Sequence, residues 1–264
     1  MPILNETSFL YGACICYGIG FILTYRGRES LPYRSLLFFN VAGLLGHSVS
    51  MVLRWERVGH GPFINLYEIL SSNLWSLQLA YLLFMIWARD HRLAGRFIVP
   101  LLATLMLWLL VVAPRDTYLP ATYDTIWLYF HVLSGKFFLS LLMLATGVAI
   151  LEMTRSSPAK QSAPLLASKS LSYRLLAFAF CFDSLMLIFG AIWAQDAWGR
   201  YWAWDPLETW AFLTWMSVIF VLHWRLNYSH SRVYSLLVLA CFTLAFLTFV
   251  GVPFVSTAPH KGMI

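Results

Sequence analysis

Trp198-Gly199-Arg-Tyr-Trp202-Ala-Trp204-Asp205-Pro206-Leu-Glu208-Thr209-Trp210 is the stretch on which the reading of this chain turns. Six of the 12 tryptophans fall between Trp193 and Trp215, and a helix start is written into the same run. Asp205 suits an N-cap, Pro206 the first helical position, and Glu208 the third place after the cap, where its side chain completes a capping box. The run is therefore a loop that feeds a helix beginning at Pro206. Its indole faces offer stacking area together with an N–H that stays wet, which suits either a membrane–water interface or a large planar apolar ligand such as a porphyrin. An interfacial aromatic belt alone leaves the interleaved polar residues without a purpose. Capping and ligand support are compatible roles for Asp205 and Glu208, because a rigid helix start fixes the angle at which Trp202, Trp204 and Trp210 present their rings.

Working outward, the 264 residues are 60% hydrophobic and 11% charged, with a mean hydropathy of +0.70. Soluble domains carry about 25% charged residues, so the composition describes an integral membrane protein. Apolar spans are expected at 9–25, 35–53, 66–88, 97–113, 127–151, 175–194, 206–224 and 234–252. Each approaches or exceeds the length of about 20 residues that a crossing helix needs. The fold class is accordingly all-α: one polytopic bundle of eight membrane helices over residues 1–264, with the tryptophan-rich signature at 193–215 in the loop between the sixth and seventh. The first span follows a short neutral stretch without a basic leader, and is expected to be retained.

Basic residues set the orientation. Arg26, Arg28, Arg34, Arg89, Arg92, Arg96, Arg155, Lys160, Lys169, Arg174, Arg225 and Arg232 fall on alternate connections and make 12 of the 18 Lys plus Arg. The positive-inside bias then places both termini and the tryptophan run outside. The formal charge of +6 reads as topology, and no nucleic-acid partner is expected. The longest inner connection, 152–174, contains Ser156-Ser-Pro-Ala-Lys-Gln-Ser-Ala-Pro164 and reads as a flexible linker. Cys14, Cys16, Cys181 and Cys241 lie within spans as small hydrophobes, and none forms Cys-x-x-Cys, so a haem bound here is held without thioether bonds.

Histidine supplies the iron-binding chemistry that tryptophan lacks. On topology His131, at the outer start of the fifth span, and His260, after the eighth, flank the tryptophan run from the same side. His223 lies 17 residues beyond Pro206, about 26 Å along a helix, and belongs to the inner end. There it also suits the helix dipole beside Arg225. His47, mid-span in the second helix, is either a satisfied core histidine or a second inner ligand. Neither Asp205 nor Glu208 reads as part of a catalytic dyad, and no catalytic residue is assigned.

The tryptophan run resembles the "WWD" signature of haem-handling proteins, and its Asp-Pro-x-Glu-Thr-Trp continuation is most similar to the CcsA/ResC family of System II cytochrome c biogenesis. Gly59-His60-Gly-Pro62 with Asn65-Leu-Tyr67-Glu68, Trp127-Leu-Tyr-Phe-His131-Val132, Leu222-His223-Trp-Arg225, and His260 resemble further family landmarks. The resemblance implies haem b, transiently and non-covalently bound. His131 and His260 would be the axial ligands of an external haem and His223 one ligand of an internal haem. Trp198, Gly199, Trp202, Trp204, Asp205, Pro206, Glu208, Thr209 and Trp210 would form the haem-binding surface. It further implies a CcsB/ResB-like membrane partner, an apocytochrome c carrying Cys-x-x-Cys-His as substrate, and a bacterial inner membrane or a thylakoid as location. No large external domain is read among these residues, so the partner is expected to be a separate chain. The expected function is haem transport and presentation as a subunit of a cytochrome c synthase. Two other readings of the residues stay open: a resident b-type electron-transfer cytochrome, and a haem-free transporter gated by the aromatic run.

Overall fold

Apolar stretches in lipid must satisfy their backbone hydrogen bonds internally, and helices do so within one segment. The computed structural model describes residues 5–26, 30–155, 170–228 and 231–251, and every regular element among them is helical. Eight helices are long and apolar enough to cross a membrane, as the sequence predicts. They are α1 (Glu6–Arg26), α2 (Ser30–Val58), α3 (Leu66–Trp87), α4 (Gly95–Val111, after a 3-10 turn at Arg89–Ala94), α5 (Ile126–Arg155), α6 (Leu171–Trp198), α7 (Pro206–Asn227) and α8 (Ser231–Phe246). A π-helical turn, Leu247–Gly251, continues α8. The chain groups into two compact units, residues 1–118 and 119–264.

In the first unit α1 packs chiefly on α2, and α3 packs on both α2 and α4. Gly43 of α2 lies under the ring of Tyr17, where a methyl group would approach within 2.5 Å, so the two helices meet through a small residue as membrane helices commonly do. The interior is polar at intervals. Thr24 and Tyr81 share a hydrogen bond of 2.8 Å, and Gln78 donates to Asn40. His47 is fully buried, its Nε2 2.9 Å from the Ser71 hydroxyl and its Nδ1 3.4 Å from that of Tyr17. Both ring nitrogens are thus engaged, and of the two expectations the satisfied core histidine is the one observed.

Gly59, at φ 79°, stops α2 in the left-handed conformation that glycine tolerates. Asn65 then caps α3, its side chain accepting from the Glu68 N–H at 2.9 Å, while the Glu68 carboxylate accepts from the Ile64 N–H at 3.0 Å. Buried Arg54 ties this corner together by donating to Glu6 at 3.0 Å and Glu68 at 2.9 Å. The group is costly to bury and is compensated by pairing, so removing one partner would strand the others.

In the second unit α5 packs against α6 and α8, and α7 bridges α6 and α8. Gly135 on α5 admits Met186 and Phe249, each 3.1 Å from where a methyl group would stand. The Ser235 hydroxyl donates to the Ala149 carbonyl at 2.7 Å, and Arg225 lies over the Tyr234 ring at 4.6 Å. Residues 156–169 of the expected linker lie outside the described residues.

Candidate functional site

The tryptophan run is the α6–α7 connection. Gly199 ends α6 at φ 77°, donating its N–H to the Gln195 carbonyl at 2.9 Å. A methyl group there would meet nothing within 4 Å, so backbone conformation and not crowding demands the glycine. Asp205 caps α7 and accepts from the Glu208 N–H at 2.8 Å, with Pro206 in the first turn, as the sequence predicts. Glu208 differs in detail. Its carboxylate reaches past the cap and accepts from the Ala203 N–H at 2.6 Å, because the chain folds back before entering the helix. The fold-back is made at Trp204, whose φ of 58° lies in the left-handed region that a bulky side chain rarely adopts. Thr209 donates its hydroxyl to the Trp204 carbonyl at 3.3 Å and helps hold this turn.

The turn displays the aromatic rings rather than burying them all. Trp204 is 64% exposed and meets Trp202 edge-on at 5.6 Å and Phe212 at 5.8 Å. Trp198 packs edge-on against Trp193 at 5.0 Å and Tyr123 at 5.9 Å. Buried Trp193 donates its indole N–H to the Tyr123 carbonyl at 3.0 Å. The Trp202 indole nitrogen is itself buried without a hydrogen-bond partner among the described residues. The Trp210 carbonyl accepts from the Thr214 hydroxyl at 2.9 Å.

His131, in the second turn of α5, is brought to this run by α6. Its Nδ1 donates to the Met186 carbonyl at 2.8 Å, and its ring stacks on Trp193 at 6.2 Å and 13°. Gly190 leaves the slot between them: a methyl group there would stand 2.7 Å from Nδ1. Met186, Gly190 and Trp193 recur at helical spacing and form a cradle on one face of α6. Donation from Nδ1 places the lone pair on Nε2, the tautomer that binds a metal. His131, Met186, Gly190, Trp193, Trp202 and Glu208 line one cleft of the second unit. Sequence reasoning did not identify Met186 or Gly190, since an apolar residue and a glycine within a span carry no chemical signal of their own.

The other expected ligands are placed apart. His223 lies one turn before the end of α7, exposed, with Nδ1 donating to the Ile219 carbonyl of its own helix at 2.9 Å. It is far from the cleft along α7. His260 lies outside the described residues.

A family model described as "Cytochrome C assembly protein" matches residues 63–260. Cytochrome c biogenesis protein CcsA of Chlamydomonas reinhardtii is 31% identical over 189 residues, covering 67% of this chain and 53% of that protein. The CcsA protein of Synechococcus sp. (strain JA-2-3B'a(2-13)) is 26% identical, covering 99% of this chain and 95% of its own length. Among solved structures, cytochrome c haem lyase CcmF superposes with a TM-score of 0.69 at 16% identity, over 99% of this chain and 48% of that one. At that identity the likeness is one of fold. The chain thus spans about half of the algal relative and of the haem lyase, and nearly all of the cyanobacterial protein.

Proposed function

The chain belongs to the cytochrome c assembly family, as a member of its CcsA group, and from that premise we propose that it works in cytochrome c biogenesis by carrying haem across the membrane and presenting it to apocytochrome c. The observation that carries this reading is the cleft in which His131, Trp193, Trp202 and Glu208 converge, with the His131 tautomer set by Met186. Haem fits the donor set. An imidazole with its lone pair on Nε2 suits iron, indole faces suit a porphyrin, and the buried Trp202 N–H, without a partner among the described residues, suits a polar edge of the ligand.

When bound, haem supplies the iron that histidine coordinates and the vinyl groups to which the cysteine thiols of a Cys-x-x-Cys-His segment add. The chain's own part is to hold and to orient. Met186 and Gly190 fix the direction of the His131 ring, and the Asp205 cap fixes the first turn of α7 and so the lie of Trp202 and Trp204. His260 is the proposed second axial ligand, and His223 the ligand of an internal haem on its way outward. Positioning of this kind converts an encounter into an oriented reaction and needs no proton transfer by this chain. A CcsB/ResB-like partner would complete the inner site, for which exposed His223 supplies one ligand.

His131→Gly tests the reading. Its cytochrome c maturation is expected to be lost and to return in part with millimolar imidazole, which enters the vacated axial position. Normal maturation in the variant removes His131 from the ligand set. Haem that stays bound through repeated turnover, with reversible reduction and no transfer, would instead identify a resident cytochrome.

A further inference from the structure

Asp183 is a buried ionisable group that nothing above employs. It is 0% exposed on α6, and neither carboxylate oxygen has a hydrogen-bond partner among the described residues. An ionisable side chain at membrane depth is costly, and where one occurs it faces a bundle interior and serves a pathway, a relay or a counter-charge. Its position along α6 narrows the choice. Met186 and Leu187 follow one turn outward and Gly190 two turns outward, on the same helical face. All three line the cleft, and Met186 and Gly190 hold His131. The Asp183 carboxyl therefore lies beneath the floor of the cleft, about 5 Å of helix rise below Met186.

The helices packed on α6 bring few groups able to answer its charge. α5 carries His131, which lines the cleft, and Lys136, which is not free. From α7 come the Ser217 and Thr214 hydroxyls, committed to the Thr214 and Trp210 carbonyls at 2.7 Å and 2.9 Å, while Glu208 is engaged at the outer end. Beyond α7, α8 carries buried Cys241. Asp183 is thus placed to respond to a cation that enters from the cleft.

We propose that Asp183 is the counter-charge for a cationic metal centre held at His131, giving up its proton more readily once the metal binds. The inference rests on the reading of His131 as an iron ligand. One bond forms, from His131 Nε2 to the metal, and one breaks, the Asp183 O–H; the proton passes to solvent and nothing is oxidised or reduced. Over the roughly 10 Å of helix rise from Asp183 to Gly190, which abuts His131, two unit charges at an effective dielectric of about 20 shift an equilibrium roughly tenfold, enough to couple the two events in part.

The test uses the full chain purified with its associated chains and titrated with ferric protoporphyrin IX by calorimetry, in two buffers of different ionisation heat. Wild type is expected to release up to about half a proton more per haem than Asp183→Asn at the pH where the difference peaks, and the variant to bind about threefold more weakly there. Metal-free protoporphyrin, which brings no metal charge, should release the same from both. Equal proton release from wild type and variant with ferric haem overturns the proposal, as does a difference that persists with the metal-free ring. Asp183→Leu, suited to an apolar interior, is expected to reproduce the amide variant and stands in for it if the amide disturbs folding. Should wild type and His131→Gly bind haem alike, the ligand assignment itself is wrong, an outcome distinct from equal proton release.

Discussion

Gly190 illustrates how a residue without functional groups can control one that has them. A methyl group added there would stand 2.7 Å from His131 Nδ1 and 2.9 Å from Cε1, and the imidazole is already held by the Met186 carbonyl and the Trp193 face. Gly190→Ala should therefore displace the ring, at an overpacking cost of about 1–3 kcal/mol that the gain in helix propensity of about 1 kcal/mol partly offsets. Haem per protein is expected to fall severalfold with little change in thermal midpoint, and an unchanged haem spectrum would show that the slot is not needed. Asp116 is a residue of the opposite kind, exposed and charged. The Arg57 guanidinium donates to its carboxylate at 2.6 Å and holds its pKa below the ordinary value of 3.8. Because the folded value is depressed, the stabilisation is present above pH 3.8 and disappears as pH falls through the folded value. Melting measured against pH should show Asp116→Asn slightly less stable than wild type near neutrality and equal to it in acid. A wide gap at neutrality would contradict the small contribution expected of so exposed a pair.

Two helices of this chain begin in the same way. Asn65-Leu-Tyr-Glu68 opens α3 and Asp205-Pro-Leu-Glu208 opens α7, and in both the cap side chain accepts from the Glu N–H while the Glu carboxylate reaches back to an earlier N–H. The second was legible from sequence because proline and the tryptophans drew attention to it. The first carries the same signal without a proline or a tryptophan cluster beside it. At α7 the cap and any contact with a ligand are separable. Asp205→Asn and Asp205→Ser keep an N-cap and should retain haem content near normal, whereas Asp205→Ala should cost about 1 kcal/mol of helix stability. If Asn and Ser lose haem as fully as Ala while protein levels hold, the carboxylate has a task beyond capping. The left-handed turn at Trp204 was not legible, because tryptophan gives no hint of positive φ; the Glu208 bond to Ala203 and the Thr209 bond to the Trp204 carbonyl accompany it.

At the scale of the whole molecule the question is the order in which haem sites fill. His223 lies 17 residues into α7, about 26 Å from its start, while His131 belongs to the cleft beside that start. If haem passes outward, replacing His223 should deplete both sites, whereas replacing His131 should leave the internal haem bound. Haem per protein and reduced spectra of the two variants, purified with their partner, decide it. A His223 variant that keeps its external haem at normal expression means the outer site is loaded by another route. The sequence by itself determined the eight helices, the start of α7 and the presence of His131 beside the tryptophan run, because hydropathy, capping grammar and loop charge act over neighbouring residues. Tertiary structure decided what those residues meet. That His47 is satisfied by Tyr17 and Ser71, and that Met186 and Gly190 of α6 hold His131, depend on side chains far apart in sequence meeting across packed helices. A hydropathy pattern reports that a helix is buried in an apolar medium, and rotation about its axis, which selects these meetings, is set only when its neighbours pack.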